Sequence, residues 1–254
     1  MKPVLLAGET FIVTSMTAKG YDVGSSANLV NGATRFIAAL QAGGLPVTQI
    51  GGERCETEFP DTIEALQAFS AVVLSDVGAL SLLLTPATRR GLAGINRLEV
   101  LRRWVHSGGG LMMAGGYTSF QGMDGMARFH DTPVEDCLPV ACLPYADGLE
   151  APEGLEPDVV ASEHEILVDL PGAWPPILGM NKVVASESPE SRILVSCSYR
   201  GHCHPMLAVR NYGQGRTLAW TTDIGPHWLS QTFMNWEKYD TLMCRMVRWI
   251  GRDI

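Results

Sequence analysis

Four short stretches of this 254-residue chain carry side chains that could move protons or hold a polar ligand. They are Gly8-Glu9-Thr10, Ser75-Asp76-Val77-Gly78, Gly115-Gly116-Tyr117 with Ser119 just beyond, and Asp223-Ile224-Gly225-Pro226-His227-Trp228. Three carboxylates (Glu9, Asp76, Asp223) and a histidine at one crevice could hold a cation, hydrogen-bond a polyol, or do acid–base work. His227 is the candidate general base, because an unperturbed imidazole titrates near neutral pH, and Asp223 is the carboxylate near it in sequence. Tyr117 and Trp228 could stack on a sugar or planar ligand while the carboxylates bond its hydroxyls. Lys19 and Asp22 are assigned to the same cluster. The competing reading of Asp76 and Asp223, each taken alone, is a cap on an adjoining helix or turn.

These residues can meet only if the chain folds so that strand ends converge. The first half alternates buried strands and amphipathic helices. Strands are expected at Pro3–Ala7, Pro46–Ile50, Ala71–Leu74 and Leu111–Ala114, with helices around Phe36–Leu40, up to Leu66, and from Asn96 to Val105. Asp61 with Glu64 resembles a capping box. That alternation implies crossover connections and a parallel, flavodoxin-like sheet with helices on both faces. The second half reads differently. Residues 121–160 are rich in Gly, Pro and acidic residues, and three β-rich runs follow at Ile193–Tyr199, Met206–Tyr212 and Arg216–Thr222. Gly213-Gln214-Gly215 marks a hairpin, so an antiparallel meander is expected to extend the sheet before a closing helix from Trp236 to Ile250. The whole chain, 1–254, reads as one domain. In such sheets ligands sit beyond the carboxyl ends of the strands, where the four stretches above emerge.

Bulk composition excludes other classes. A formal charge of −8 argues against nucleic acid, which demands a basic face. No apolar run is long enough for a membrane helix, and the amino terminus does not read as an export signal. Six cysteines without a Cys-x-x-Cys pair suit reduced thiols and a cytoplasmic location. His202-Cys203-His204 alternates sides on a strand and reads as a hairpin turn, not as a metal trio. Gly108-Gly109-Gly110 precedes a strand and reads as a helix stop, not as a phosphate loop. No cofactor and no metal are expected.

The chain resembles the putative glutamine amidotransferase family, within the class I glutamine amidotransferase-like superfamily that includes trehalose-utilisation-type proteins. The resemblance rests on Lys19-Gly20-Tyr21-Asp22, Leu74–Gly78, Gly109–Gly122, Pro133-Val134-Glu135, Pro175–Gly179 and Thr221–Trp228. It implies a flavodoxin-like fold. It also implies where a glutaminase would carry its nucleophilic cysteine: on the turn after Met113, in a Gly-x-Cys-x-Gly setting, activated by a histidine that a carboxylate orients. Here Gly116 stands in that place, no cysteine lies between Cys55 and Cys137, and the His-x-Glu pair is absent. Glutamine hydrolysis by the usual covalent route is therefore not expected. The reading is a site for a sugar or amino-acid-like molecule, or a non-glutaminase activity, built from Glu9, Thr10, Lys19, Asp22, Asp76, Gly115, Gly116, Tyr117, Ser119 and Trp228. The alternative is a non-catalytic interaction or assembly protein on the same scaffold, and a homo-oligomer fits either.

Overall fold

The computed structural model describes residues 2–170 and 172–254. Its strands run in chain order β1 (Val4–Gly8), β2 (Thr10–Lys19), β3 (Asp22–Asn31), β4 (Val47–Ile50), β5 (Ala71–Ser75) and β6 (Gly110–Ala114). They continue as β7 (Val140–Cys142), β8 (Gly148–Leu155), β9 (Pro157–Val159), β10 (Ile177–Asn181), β11 (Val183–Ala185), β12 (Ser191–Tyr199), β13 (His202–Tyr212) and β14 (Gly215–Trp220). Eight of them form one sheet in the order β4-β1-β5-β6-β14-β13-β12-β9. The pairs from β4 to β14 are parallel, and those from β14 to β9 are antiparallel. The expected flavodoxin-like core with its meander is thus present, and β14 is the strand where parallel pairing gives way to antiparallel.

Alternation along the parallel strands explains why they read as unbroken apolar runs. Val4 and Leu6 join one core layer with the helices Thr34–Ala42 and Tyr239–Ile250, while Leu5 and Ala7 join the layer under the helix Arg97–His106. Both faces are buried, so both parities must be apolar. The closing helix places Tyr239, Leu242, Met243, Met246, Trp249 and Ile250 in the interior, as its 3.6-residue period demands. Asn96 caps its helix by accepting from the backbone N–H groups of Leu98 and Glu99. One cap differs from expectation: Thr62, not Asp61, accepts from Ala65 N–H at the short helix Ile63–Leu66. The hydroxyl one residue nearer the first turn takes the position.

Two features lay outside the sequence reading. Within the irregular 121–160 segment, β7 and β8 pair with β11 and β10 as two small antiparallel sheets on the sheet's flank. More conspicuously, β2 and β3 form a separate two-stranded ribbon of ten residues each, in continuous register from Thr10↔Asn31 to Lys19↔Asp22. Of the twenty strand residues all but Thr10 are exposed. Where the ribbon leaves the body, Glu9 C=O accepts from Gly32 N–H at 2.9 Å. No described helix is long and apolar enough to cross a membrane.

Candidate functional site

The strand order places β1 between β4 and β5; the chain runs on from β1 to β4 on one side and from β5 to β6 on the other. This is the switch point at which open α/β sheets bind ligands. The residue after β1 is Glu9 and the residue after β5 is Asp76. Both turn sharply: φ is +57° at Glu9 and +46° at Asp76, with Gly8 at +98° between strand and turn. A side chain at position 8 would place its Cβ 2.0 Å from the Ser75 carbonyl oxygen, so only glycine permits this close strand–strand turn. His227, after the last parallel strand, also has positive φ, +116°. Left-handed backbone at three non-glycine residues of one rim is stored strain of the kind that collects at functional sites.

The rim opens on a cleft of about 1210 Å³. Its polar lining includes Glu9, Asp76, Tyr117, Thr118, Asp223, His227 and Arg35, and its apolar lining Phe11, Val30, Leu80, Met126 and Met234. The acids are deeply placed. Burial pushes the Glu9 carboxyl up to about 7, with the neighbouring Asp76 charge adding and the Ser75 hydroxyl, donating at 2.5 Å, opposing. Burial likewise pushes Asp223 to about 8, helped by the charges of Glu9, Asp76 and Glu150 and opposed by the Trp228 N–H at 2.9 Å. Asp76 is raised by burial too, although it accepts from the Thr118 N–H at 2.7 Å and hydroxyl at 3.1 Å. Near neutral pH Glu9 and Asp223 therefore hold protons, and can donate hydrogen bonds as well as accept them.

His227 lies at the mouth with its side chain half exposed. Its Nδ1 is 3.8 Å from Asp223 Oδ2, and its Nε2 is 3.3 Å from the Tyr117 hydroxyl and 3.7 Å from Glu150 Oε2. The imidazole thus stands between two carboxylates and a phenol that itself donates to Glu150 at 3.0 Å. Among the described residues no group of three or more His, Cys, Asp or Glu side chains is disposed to hold a metal ion.

Gly116 sits at φ +142° on the turn after β6. A Cβ built there would lie 2.4 Å from Asp76 Oδ1 and 2.7 Å from its Cγ. The Asp76 carboxylate therefore occupies the space into which a side chain at position 116 would begin. The turn is held from below by Asn181, whose Oδ1 accepts from Gly116 N–H at 3.0 Å and whose Nδ2 donates to Gly116 C=O at 3.2 Å and to Asp147 at 2.8 Å. Asp147, fully buried, also accepts from the N–H groups of Gln121 and Gly122, both at 2.9 Å. Removing that carboxylate leaves the Gln121 and Gly122 N–H groups without partners and takes from Asn181 its shortest bond. Asp147→Ala is accordingly expected to cost about 3–5 kcal/mol in chemical denaturation, with Asp147→Asn milder; equal losses for the two would contradict it.

The other residues expected at this site fall in different places. Thr10 lines the cleft. Gly115 is buried behind it, its N–H shared between the carbonyls of Trp220 and Thr222. Ser119 is buried and accepts from the Asp76 N–H at 3.0 Å, so it fixes the Asp76 turn. Trp228 is fully buried; its ring stacks under His227 at 6.1 Å and its Nε1 donates to Glu150, so it backs the imidazole and offers no open face. Lys19 and Asp22 do not join the cluster: they face each other at the far tip of the ribbon, ten residues along each strand from the rim. Glu150, Asp147 and Asn181 were missed. They lie in a segment without helical or strand periodicity or at the end of a short strand, and no local signal marks them.

Comparison with known proteins follows the fold. The sequence model of the family described as "Putative glutamine amidotransferase" matches residues 3–252. The chain is similar to two cytoplasmic proteins of Salmonella typhimurium. STM3548 shares 32% identity over 98% of each chain with a TM-score of 0.90. STM1381, from strain LT2, shares 33% over 98% of this chain and 99% of that one, with a TM-score of 0.89. A β-galactosidase from Rahnella sp. R3 shares the fold alone: 13% identity, 85% of this chain, 26% of that one, TM-score 0.54. No curated protein matches.

Proposed function

Since the chain belongs to the putative glutamine amidotransferase family, yet has glycine where that chemistry uses a thiol, we propose that it binds a small, neutral, hydroxyl-rich molecule and does not hydrolyse glutamine. The observation that carries this reading is the Asp76 carboxylate lying over Gly116, in the place of a nucleophile's side chain. A carboxyl group there, flanked by Glu9 and Asp223, turns the centre of the rim from a site of covalent attack into a cradle of hydrogen-bonding acids. Acids with raised pKa values bind hydroxyls well because each can donate or accept. The apolar part of the lining suits the carbon face of a sugar or polyol. His227, between Asp223 and Tyr117, is the group placed to take a proton from a bound hydroxyl. A cytoplasmic setting, like that of the two Salmonella proteins, agrees with this reading.

Thermal-shift measurements with neutral sugars and polyols, free amino acids including glutamine, and divalent cations test it. A neutral polyol at about 100 times its Kd adds ~2.7 kcal/mol, a rise of about 5–10 °C for a chain of this size. Asp76→Asn and Asp223→Asn should reduce that rise. Ammonia release from glutamine should stay at background. A response confined to glutamine, or ammonia produced in proportion to enzyme, overturns the proposal.

A further inference from the structure

The ribbon of β2 and β3 has two unlike faces. Residues directly opposite in register share a face, so Ile12 and Leu29, Thr14 and Ala27, Met16 and Ser25, and Ala18 and Val23 lie together. Beyond the Thr10–Asn31 pair at its base, that face is apolar to the tip, relieved only by Thr14 and Ser25. The other begins with Phe11 and Val30, which line the cleft, and turns polar beyond Val13 through Ser15, Ser26, Thr17, Lys19 and Asp22. Ile12, Met16, Val23 and Leu29 are 60%, 78%, 65% and 60% exposed, values unlike those of any protein interior. Both outer edges are unpaired, since β2 and β3 bond only to each other. Edge strands are ordinarily guarded by bulges, prolines or repeated charges. This ribbon has unbroken register, no proline, and one charge of each sign at its tip. A two-stranded ribbon with nothing against it is barely stable in water.

We propose that two copies of this chain associate through these ribbons, apolar face against apolar face about a two-fold axis. Charge selects a second copy as the occupant. The chain carries −8 overall, and none of that net charge lies between Thr10 and Asn31. The ribbon is a long surface of zero net charge on which two acidic bodies can approach with little like-charge repulsion. The face is also self-complementary: a continuous run of medium and small side chains meets its own copy without needing a matching pocket, as an isologous contact requires. Its 22 residues are of the size of one side of a standard interface, about 20–30 residues. Because Phe11 and Val30 belong to both ribbon and cleft wall, pairing also steadies one wall of the cleft.

Sedimentation velocity on the full chain, over a wide concentration range, tests the proposal. The parent protein should be a dimer at micromolar concentration. Met16→Glu with Val23→Glu should raise the dimer Kd at least ~100-fold, since the contact would bury unpaired carboxylates. Ser15→Glu, on the opposite face of the same strand, should leave Kd unchanged. Shortening the ribbon by replacing Ser15–Ser26 with Asn-Gly, which retains the cleft-lining base, should give a monomer that melts like the parent when dilute. A monomeric parent, a dimer that survives shortening, or equal damage from Ser15→Glu and from the Met16/Val23 pair each overturns it. None of these readings depends on whether the cleft binds a polyol.

Discussion

A Gly116→Cys variant is expected to melt about 6–12 °C below the parent and to release no ammonia from glutamine. The substitution supplies the sulfur that a glutaminase of this fold uses, but the turn cannot receive it. Any Cβ at position 116 starts 2.4 Å from Asp76 Oδ1, and the backbone there, at φ +142°, disfavours every side chain. Relief requires the Asp76 carboxylate to leave two hydrogen bonds from Thr118 in a buried setting. Strain and crowding together amount to about 3 kcal/mol, and a chain of this length loses ~2–4 °C per kcal/mol. The companion change is Asp76→Gly, with glycine chosen because φ there is +46°. In the double variant most of the Gly116→Cys penalty should vanish, giving a coupling energy of about 1–3 kcal/mol in a double-mutant cycle followed by thermal denaturation. Strict additivity would show that Asp76 does not fill the space beside Gly116.

The second large effect is a loss of stability with rising pH. Glu9 and Asp223 titrate near 7 and 8 when folded, against 4.5 and 3.8 as ordinary carboxyls. Between those limits the native state holds protons that the unfolded chain has released. Stability therefore falls as pH climbs from about 4 toward 8, and levels off above that. Below the ordinary values both states are protonated and the contribution is complete. Each unit of pH crossed by one such group is worth about 1.4 kcal/mol, so moving from pH 6 to 8.5 should cost on the order of 2–4 kcal/mol. Urea denaturation at those two values measures it. Asp223→Asn should flatten the slope and raise stability at pH 8.5; a parent protein more stable at pH 8.5 than at pH 6 would refute the buried-acid reading.

Much of the core was legible because its physics is local. An apolar run of four or five residues followed by an amphipathic helix can hardly be anything but a crossover strand, and Asn96 ahead of Leu98 and Glu99 announces its own cap. Once that sheet is granted, Glu9, Asp76, Gly116, Tyr117, Asp223 and His227 must share a rim, and they do. Alternation failed where neither face meets a core. Between Thr10 and Asn31 the alternation is faint, with Phe11, Ile12 and Val13 consecutive and Ser, Thr and Asn on both faces, and Lys19-Gly20-Tyr21-Asp22 lies at the two-residue turn of a hairpin. Asp147 and Asn181 escaped for another reason. A buried polar pair is specified by what surrounds it in space, so a lone Asp in an irregular stretch looks like any solvated acid until three donors are seen to converge on it.

The single hydrogen bond between Glu9 and Gly32 has a consequence of its own. Because the strands depart side by side from a closed junction, the sheet is indifferent to what hangs beyond it. Closing a loop costs little more as the loop grows, so this appendage can be lengthened, trimmed or rewritten while β1 and the helix after it keep their places.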